Sequence, residues 1–81
     1  MDIQSPNIRI HDLSLAAALM SAGYKLIGTN RDRNGRFYFM FKQTDRLTNA
    51  MDAYWADTLI VKARMFGDNT KMLKGRIYSE Q

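Results

Sequence analysis

The first segment with a clear periodicity predicts a helix from Asp12 to Ala22, with Asp12 as its N-cap and Gly23 after its end. Its apolar residues occupy two faces. The first face carries Leu13, Ala16, Ala17 and Met20, and the second carries Leu15, Leu19 and Ala22. A helix that is apolar on two faces has to be covered on both. It is therefore a central helix between a sheet and another helix, or a helix that also forms a homodimer interface through Leu15, Leu19 and Ala22.

Residues 24–43 show the period of two that is typical of strands, interrupted by Asn34-Gly35. Asn-Gly is a strong hairpin signal because both residues tolerate a positive φ. After this turn, the phenylalanines at positions 37, 39 and 41 share one face of a strand, and we predict that they lie in the core. Tyr38 falls on the other face and is predicted to point outward.

Two registers of this hairpin are open. A two-residue turn would pair Arg33 with Arg36, which are like charges. A three-residue turn, with its glycine in the left-handed conformation, would pair Asp32 with Arg36. It would also place Ile27 opposite Phe41. We favour the three-residue turn because it avoids charge repulsion and joins two apolar residues.

Helical periodicity returns in residues 44–56, where Thr44 is the predicted N-cap. The apolar stripe of this helix contains Leu47, Ala50, Met51 and Tyr54, joined by Trp55 near the end. The residues that follow, "TLIV" at 58–61, are rich in β-branched side chains and predict a short third strand.

A last helix is predicted from about Ala63 to Tyr78. Its apolar arc contains Met65, Phe66, Met72, Leu73 and Ile77. Gly67 and Gly75 each weaken this helix by up to about 1 kcal/mol relative to alanine. The alternative is therefore a break at Gly67-Asp68 and a second helix that starts at Thr70.

Together these elements predict one α+β domain at residues 10–79, preceded by a flexible arm at residues 1–9. The predicted order is a helix, an antiparallel β-hairpin and two helices packed on one sheet face. A third short strand is an option. The predicted core contains Leu13, Ala17, Met20, Leu26, Phe37, Phe39, Phe41, Leu47, Met51, Tyr54, Phe66, Leu73 and Ile77.

The composition agrees with a small folded domain, since 46% of the 81 residues are hydrophobic and only one is a proline. A core this small leaves a thin margin of stability, which favours a homodimer. The lack of cysteine excludes disulfides and thiolate metal sites and agrees with a reducing compartment. The longest apolar run, residues 15–20, is too short to cross a bilayer. We expect a cytoplasmic protein that has no cofactor, no metal site and no membrane contact.

The residue types offer little for catalysis. The single histidine, His11, lies too close in sequence to Asp12 and Ser14 to form a nucleophile, base and orienter relay, which needs residues that converge in space. The acidic residues are spread singly, and no glycine-rich phosphate loop is present in the sequence. We therefore expect no catalytic residue and a protein that acts by binding.

The net charge of +4 is unevenly distributed, with five basic residues in 25–42 and five in 62–78. Small basic proteins bind nucleic acid or acidic protein surfaces in some cases and merely keep a solvated surface in others. The candidate contacts are Arg31, Arg33, Arg36 and Tyr38 on the hairpin, and Arg64, Lys71 and Lys74 on one face of the last helix. Arg64 and Asp68 are spaced for an ion pair that would neutralise part of that face.

The segments "DLSLAAALMSAGYKLIG", "AYW" and "LKGRIYSE", with the aromatic strand between them, resemble a family of short bacterial and phage proteins known as a domain of unknown function. The family pattern is DLxLAAxLLxxGYKL at the start and LKxRIY at the end, and the resemblance covers about residues 11–79. It implies the order helix, hairpin, helix, helix and a continuous last helix, although Gly67 and Gly75 depart from the pattern. It implies no active site. A phage origin would make an inhibitor or modulator of a host complex the alternative to a nucleic-acid-binding module.

Overall fold

The computed structural model describes residues 6–79 of the chain. The elements are β1 (Asn7–Ile10), α1 (Leu13–Ser21), β2 (Leu26–Arg31), β3 (Phe37–Lys42), α2 (Asp45–Trp55) and α3 (Ala63–Ser79). The strands form one antiparallel sheet in the order β1-β3-β2, with β3 in the centre. Three helices and an antiparallel sheet confirm the predicted α+β class.

Side-chain caps set the beginnings of α1 and α2 where the sequence predicts them. Asp12 Oδ1 accepts a hydrogen bond from the backbone N–H of Leu15 at 3.0 Å. Thr44 Oγ1 accepts one from the N–H of Leu47, also at 3.0 Å. Gly23 follows α1 with a φ of 105°, the left-handed conformation in which helices commonly end.

The hairpin tip has the three-residue turn that the sequence favours. Gly35 has a φ of 82° and donates its N–H to the carbonyl of Asp32 at 2.9 Å. Asp32 in turn donates its N–H to the carbonyl of Arg36 at 2.9 Å. The predicted pairing of Asp32 with Arg36 is therefore confirmed.

The far end of the hairpin differs from the prediction. A bulge between Leu26 and Gly28 places Leu26, rather than Ile27, opposite Phe41. The bulge leaves Ile27 exposed at the edge strand. The predicted Ile27–Phe41 pair is wrong because one inserted residue shifts the register without changing the turn.

The third strand comes from the beginning of the chain. Ile8 lies opposite Phe41 and Ile10 opposite Phe39, so both isoleucines extend the core face of β3. Residues 7–9, assigned to a flexible arm from sequence, belong to this strand, while residues 1–5 lie outside the described residues. Residues 58–61 form no strand, since β1 and β2 already occupy both edges of β3.

The core contains every residue predicted for it, either fully buried or packed against the buried cluster. The prediction missed Ile10, Leu15, Ala16, Leu19 and Ala50, which are also buried there. Leu15 and Leu19 are covered within the chain because α1 contacts β1, α2 and α3. The helix is thus the central one, and these two leucines offer no surface to a second copy. Ala22, the third predicted interface residue, is exposed.

Helix α3 is continuous from Ala63 to Ser79, so the alternative with a break at Gly67 does not occur. Its apolar arc is only partly buried. Leu73 is fully buried and Phe66 and Ile77 pack against the core, whereas Met65 and Met72 are exposed. On α2, Trp55 is exposed as well, although the sequence places it with the buried stripe.

Candidate functional site

The sheet has a polar face opposite the one that carries Phe39 and Phe41. Strand alternation places Tyr38, Met40 and Lys42 of β3 on this polar face. Their cross-strand neighbours share it, with Arg9 opposite Met40 and Asn7 opposite Lys42. The face is therefore basic and amide-rich in its centre and along β1.

Tyr38 is buried, with 5% of its surface exposed, although the sequence predicts that it points outward. The guanidinium carbon of Arg9 lies 4.6 Å from the centroid of the Tyr38 ring, within the range of a cation–π contact. The ring of His11 meets the same ring edge-on, at 5.9 Å between centroids. The covering side chains come from β1 and the residue after it, a strand that the sequence does not predict. As a result, Tyr38 is unavailable for stacking on a base, whereas Arg9 remains exposed.

A polar link joins this face to the hairpin tip. His11 Nε2 lies 3.0 Å from Oδ2 of Asp32, and Oδ1 of Asp32 accepts the backbone N–H groups of Asn34 and Arg36 at 2.9 Å each. The hydrogen bond from Arg36, followed by those from His11 and Asn34, holds the pKa of Asp32 below its ordinary value. One carboxylate oxygen thus fixes the turn, and the other is engaged with His11.

The arginines of the tip differ in their surroundings. Arg31 donates to the carbonyl of Gly35 at 2.9 Å, and its guanidinium carbon lies 5.4 Å from the Phe37 ring centroid. Arg33 and Arg36 are exposed. Arg36 lies two residues before Tyr38, so the alternation of the strand directs it to the polar face. We call Arg9, Arg36 and Lys42, together with Arg33 of the adjoining turn, the sheet-face cations.

The cations of the chain are without carboxylate partners in the described structure. Within residues 6–79 the one ion pair is that of His11 with Asp32, and it involves no lysine or arginine. The predicted pair of Arg64 with Asp68 is therefore wrong, and the basic face of α3 keeps its full charge. Unpaired surface cations are available to an external anion.

Helix α3 carries the second basic surface, on which the predicted residues Arg64, Lys71 and Lys74 are exposed together with Tyr78. This helix packs chiefly against α1, and Asn69 Nδ2 donates to Ser21 Oγ at 3.0 Å. The contacts of α3 within the described chain are thus mainly with α1 and not with the hairpin tip. The structure therefore does not bring the two predicted basic segments into one constellation.

Two of the four sheet-face cations, Arg9 and Lys42, are absent from the sequence-based candidates. A period-two pattern was available in "NIRI" at residues 7–10, where the isoleucines and Arg9 alternate. That pattern indicates a strand, but only the pairing of the strand with β3 brings Arg9 and Lys42 to one face. Within residues 6–79, no three His, Cys, Asp or Glu side chains are grouped so that they could hold a metal ion. Nor does any helix in that range have the length and hydrophobicity to cross a membrane.

Comparison with known proteins gives one result. Residues 5–79 match the sequence model of a family described as a domain of unknown function, DUF5659. No curated protein and no solved structure matches the chain. The chemistry of the surface therefore has to be argued from this chain's own residues.

Proposed function

The chain belongs to the DUF5659 family, whose function is unknown, and on the geometry above we propose that it binds nucleic acid and catalyses no reaction. The sheet-face cations are the proposed contacts. They would bind phosphates of the nucleic-acid backbone, because a guanidinium or ammonium group pairs with phosphate oxygens through charge-assisted hydrogen bonds.

The observation that carries the proposal is the absence of carboxylate partners around these cations. No lysine or arginine among the described residues forms an ion pair. Asp32, the one acidic residue between positions 25 and 42, has one oxygen bonded within the turn and the other bonded to His11. A surface that only contacts solvent has no advantage from keeping its cations apart from acidic residues. A surface that binds a polyanion has one, since the cations need not first be released from neighbouring acids.

The covered ring of Tyr38 determines the kind of recognition that we expect. Single-strand binding proteins generally stack bases on exposed aromatic rings. Here Arg9 and His11 occupy both the face and the edge of the ring. Binding should therefore depend on phosphate contacts, with little sequence preference and a strong dependence on salt.

The test is a fluorescence anisotropy titration of labelled single- and double-stranded DNA and RNA at low and at physiological salt. Two variants with equal net charge form a matched pair. One replaces Arg33, Arg36 and Lys42 by glutamine, and the other replaces Arg64, Lys71 and Lys74 by glutamine. We expect the first to weaken binding to all sequences and to reduce the slope of log K against log salt by about 0.7–0.9 per lost phosphate contact. We expect a smaller effect from the second.

Equal effects of the two variants would show that net charge, not the sheet face, determines binding. No binding of the unmodified protein at low salt would contradict the nucleic-acid proposal. It would favour the other candidate partner, an acidic protein surface, and with it the proposed role of a phage protein that modulates a host complex. Turnover of nucleotides or nucleic acid by the purified protein, abolished by a single substitution, would contradict the absence of catalysis.

A further inference from the structure

Residues 57–62, the connection between α2 and α3, form the centre of the most exposed apolar surface of the described chain. Ile60 is 91% exposed, and Trp55 and Met65 on either side of the connection are 64% and 43% exposed. The surface is contiguous, because Leu59 and Val61 line both the pocket beside Trp55 and the pocket beside Met65. Single exposed apolar side chains are ordinary, but contiguous patches of this kind mark interaction sites.

The middle of this connection also has unpaired backbone groups. The N–H groups of Thr58 and Leu59 bond back to the carbonyl of Ala53, at 2.8 and 3.1 Å, and the carbonyl of Lys62 accepts the first helical bond of α3. Between these points, Ile60 and Val61 make no hydrogen bond with any described residue. A β-branched segment with free backbone donors and acceptors is a template for pairing with another strand.

We propose that residues 58–62 pair antiparallel with the same residues of a second copy of this chain, forming a homodimer. Symmetric pairing about Ile60 would place the two Ile60 side chains next to each other at the two-fold axis. Leu59 of each copy would lie opposite Val61 of the other. The N–H and carbonyl of each Ile60, which make no hydrogen bond with a described residue, would then bond to those of Ile60 in the other copy.

The shape of the surface favours a second copy as the occupant. Trp55 and Ile60 are largely exposed, and pockets of about 420 and about 820 Å³, both lined by Leu59 and Val61, lie beside them. The same surface thus contains both protruding side chains and pockets. Self-complementarity of this kind is what an isologous two-fold interface requires.

The charges at the two ends of the segment would also be complementary to those of a second copy. Asp57 and Lys62 stand at its two ends and both are exposed. Antiparallel pairing brings Asp57 of one copy close to Lys62 of the other and to the beginning of the other α3. That first turn contains no acidic residue of its own, so an incoming carboxylate would be favourable to the helix dipole. The inference is independent of the proposed function, since this surface contains none of the sheet-face cations.

The first test is the mass in solution by light scattering or sedimentation equilibrium across the micromolar range. We expect twice the chain mass of 9.4 kDa for the unmodified protein and 9.4 kDa for Ile60→Glu. Folding of the variant is checked by circular dichroism, which should be unchanged because Ile60 is exposed in the single chain. Tyr78→Glu is the matched control, since Tyr78 is 69% exposed, lies outside the patch and should leave the dimer intact.

A second test uses the absence of cysteine from the sequence. Ile60→Cys places one thiol close to the proposed axis, and mild oxidation should link two chains. Tyr78→Cys should not be linked under the same conditions. A monomeric mass throughout the micromolar range, or a dimer that persists in Ile60→Glu, would overturn the proposal.

Discussion

At the scale of single residues, the exposure of a side chain depends on its cross-strand neighbours as much as on its own position. Alternation along β3 correctly places Phe39 and Phe41 in the core. The same alternation puts Tyr38 on the polar face, where Arg9 and His11 nevertheless cover it. Long side chains can thus bury a ring on an otherwise solvated sheet face.

The carboxylate of Asp32 should give the stability a pH dependence of definite sign. Its pKa is lower in the folded chain than in the unfolded one, first because of the hydrogen bond from the N–H of Arg36. The stabilisation is therefore present above the unfolded pKa of about 3.9 and is lost as the pH falls through the folded pKa.

Urea unfolding of the unmodified protein and of Asp32→Asn, measured from about pH 5 to about pH 2, tests this sign. The asparagine keeps an acceptor for the turn and removes the charge. The difference in free energy of unfolding between the two proteins should shrink as the pH falls. A difference that stays constant over that interval would show that the charge of Asp32 does not support the turn.

Phe39 should be the single most costly side chain to truncate in the sheet. It is fully buried in the middle of the central strand, so Phe39→Ala should lower the free energy of unfolding by about 3–5 kcal/mol. Ile27→Ala is the control, because the bulge leaves Ile27 half exposed and the change should be within about 0.5 kcal/mol. Similar unfolding midpoints for the two variants would contradict the described core.

At the scale of elements, the features that the sequence predicts correctly are those with local causes. The caps Asp12 and Thr44 act on N–H groups three residues away, and the tip is determined by Gly35 and its neighbours. The helices and the hairpin follow from such signals. The four-residue strand β1 pairs with residues 29 to 35 positions away, and nothing local reveals that pairing.

Residues 58–61 show the opposite error, since the sequence predicts a strand there and the structure has none. Their β propensity is high, but propensity describes how a side chain fits a sheet and does not supply a neighbouring strand. Both edges of β3 are occupied, so the segment stays unpaired within the chain. The high β propensity of a segment that pairs with no strand of its own chain agrees with the proposed pairing between copies.

The two glycines of α3 should be replaceable with a gain in stability. A Cβ at Gly67 or Gly75 would meet nothing within 4 Å, and both positions are helical. Each change to alanine should therefore stabilise the protein by up to about 1 kcal/mol. Gly35→Ala is the contrasting variant, because its φ of 82° should make the same change destabilising by about 1 kcal/mol or more. Thermal unfolding of the three variants decides, and a loss of stability in both helical variants would contradict the straight, solvent-facing course of α3.

At the scale of the whole molecule, the sequence could not tell which apolar surfaces the chain covers for itself. Leu15 and Leu19 look available for a partner on a helical wheel, but α3 and its neighbours bury them. The patch around Ile60 is left uncovered instead. The candidate site was predictable in part for the same reason, since the tip arginines are local features, while Arg9 joins them only through the pairing of β1 with β3.

Removal of the charges on the sheet face should leave the fold intact. Arg33, Arg36 and Lys42 are exposed and form no ion pair with the described residues, so replacing all three by glutamine should change the stability by less than about 1 kcal/mol per residue. Thermal unfolding measures this. A large destabilisation would mean that these side chains hold the hairpin together, and a binding defect in the triple variant would then have a structural cause.

The most direct measurement of the central proposal is a titration of the protein's amide NMR spectrum with a short oligonucleotide at low salt. If the sheet face binds phosphate, the shifted signals should be those of β1 and β3 and of the tip, including Arg9, Arg36 and Lys42. The signals of α3 should move little, because that helix packs chiefly against α1. Shifts confined to α3, or an unchanged spectrum at saturating oligonucleotide, would contradict the proposal that the sheet face binds nucleic acid.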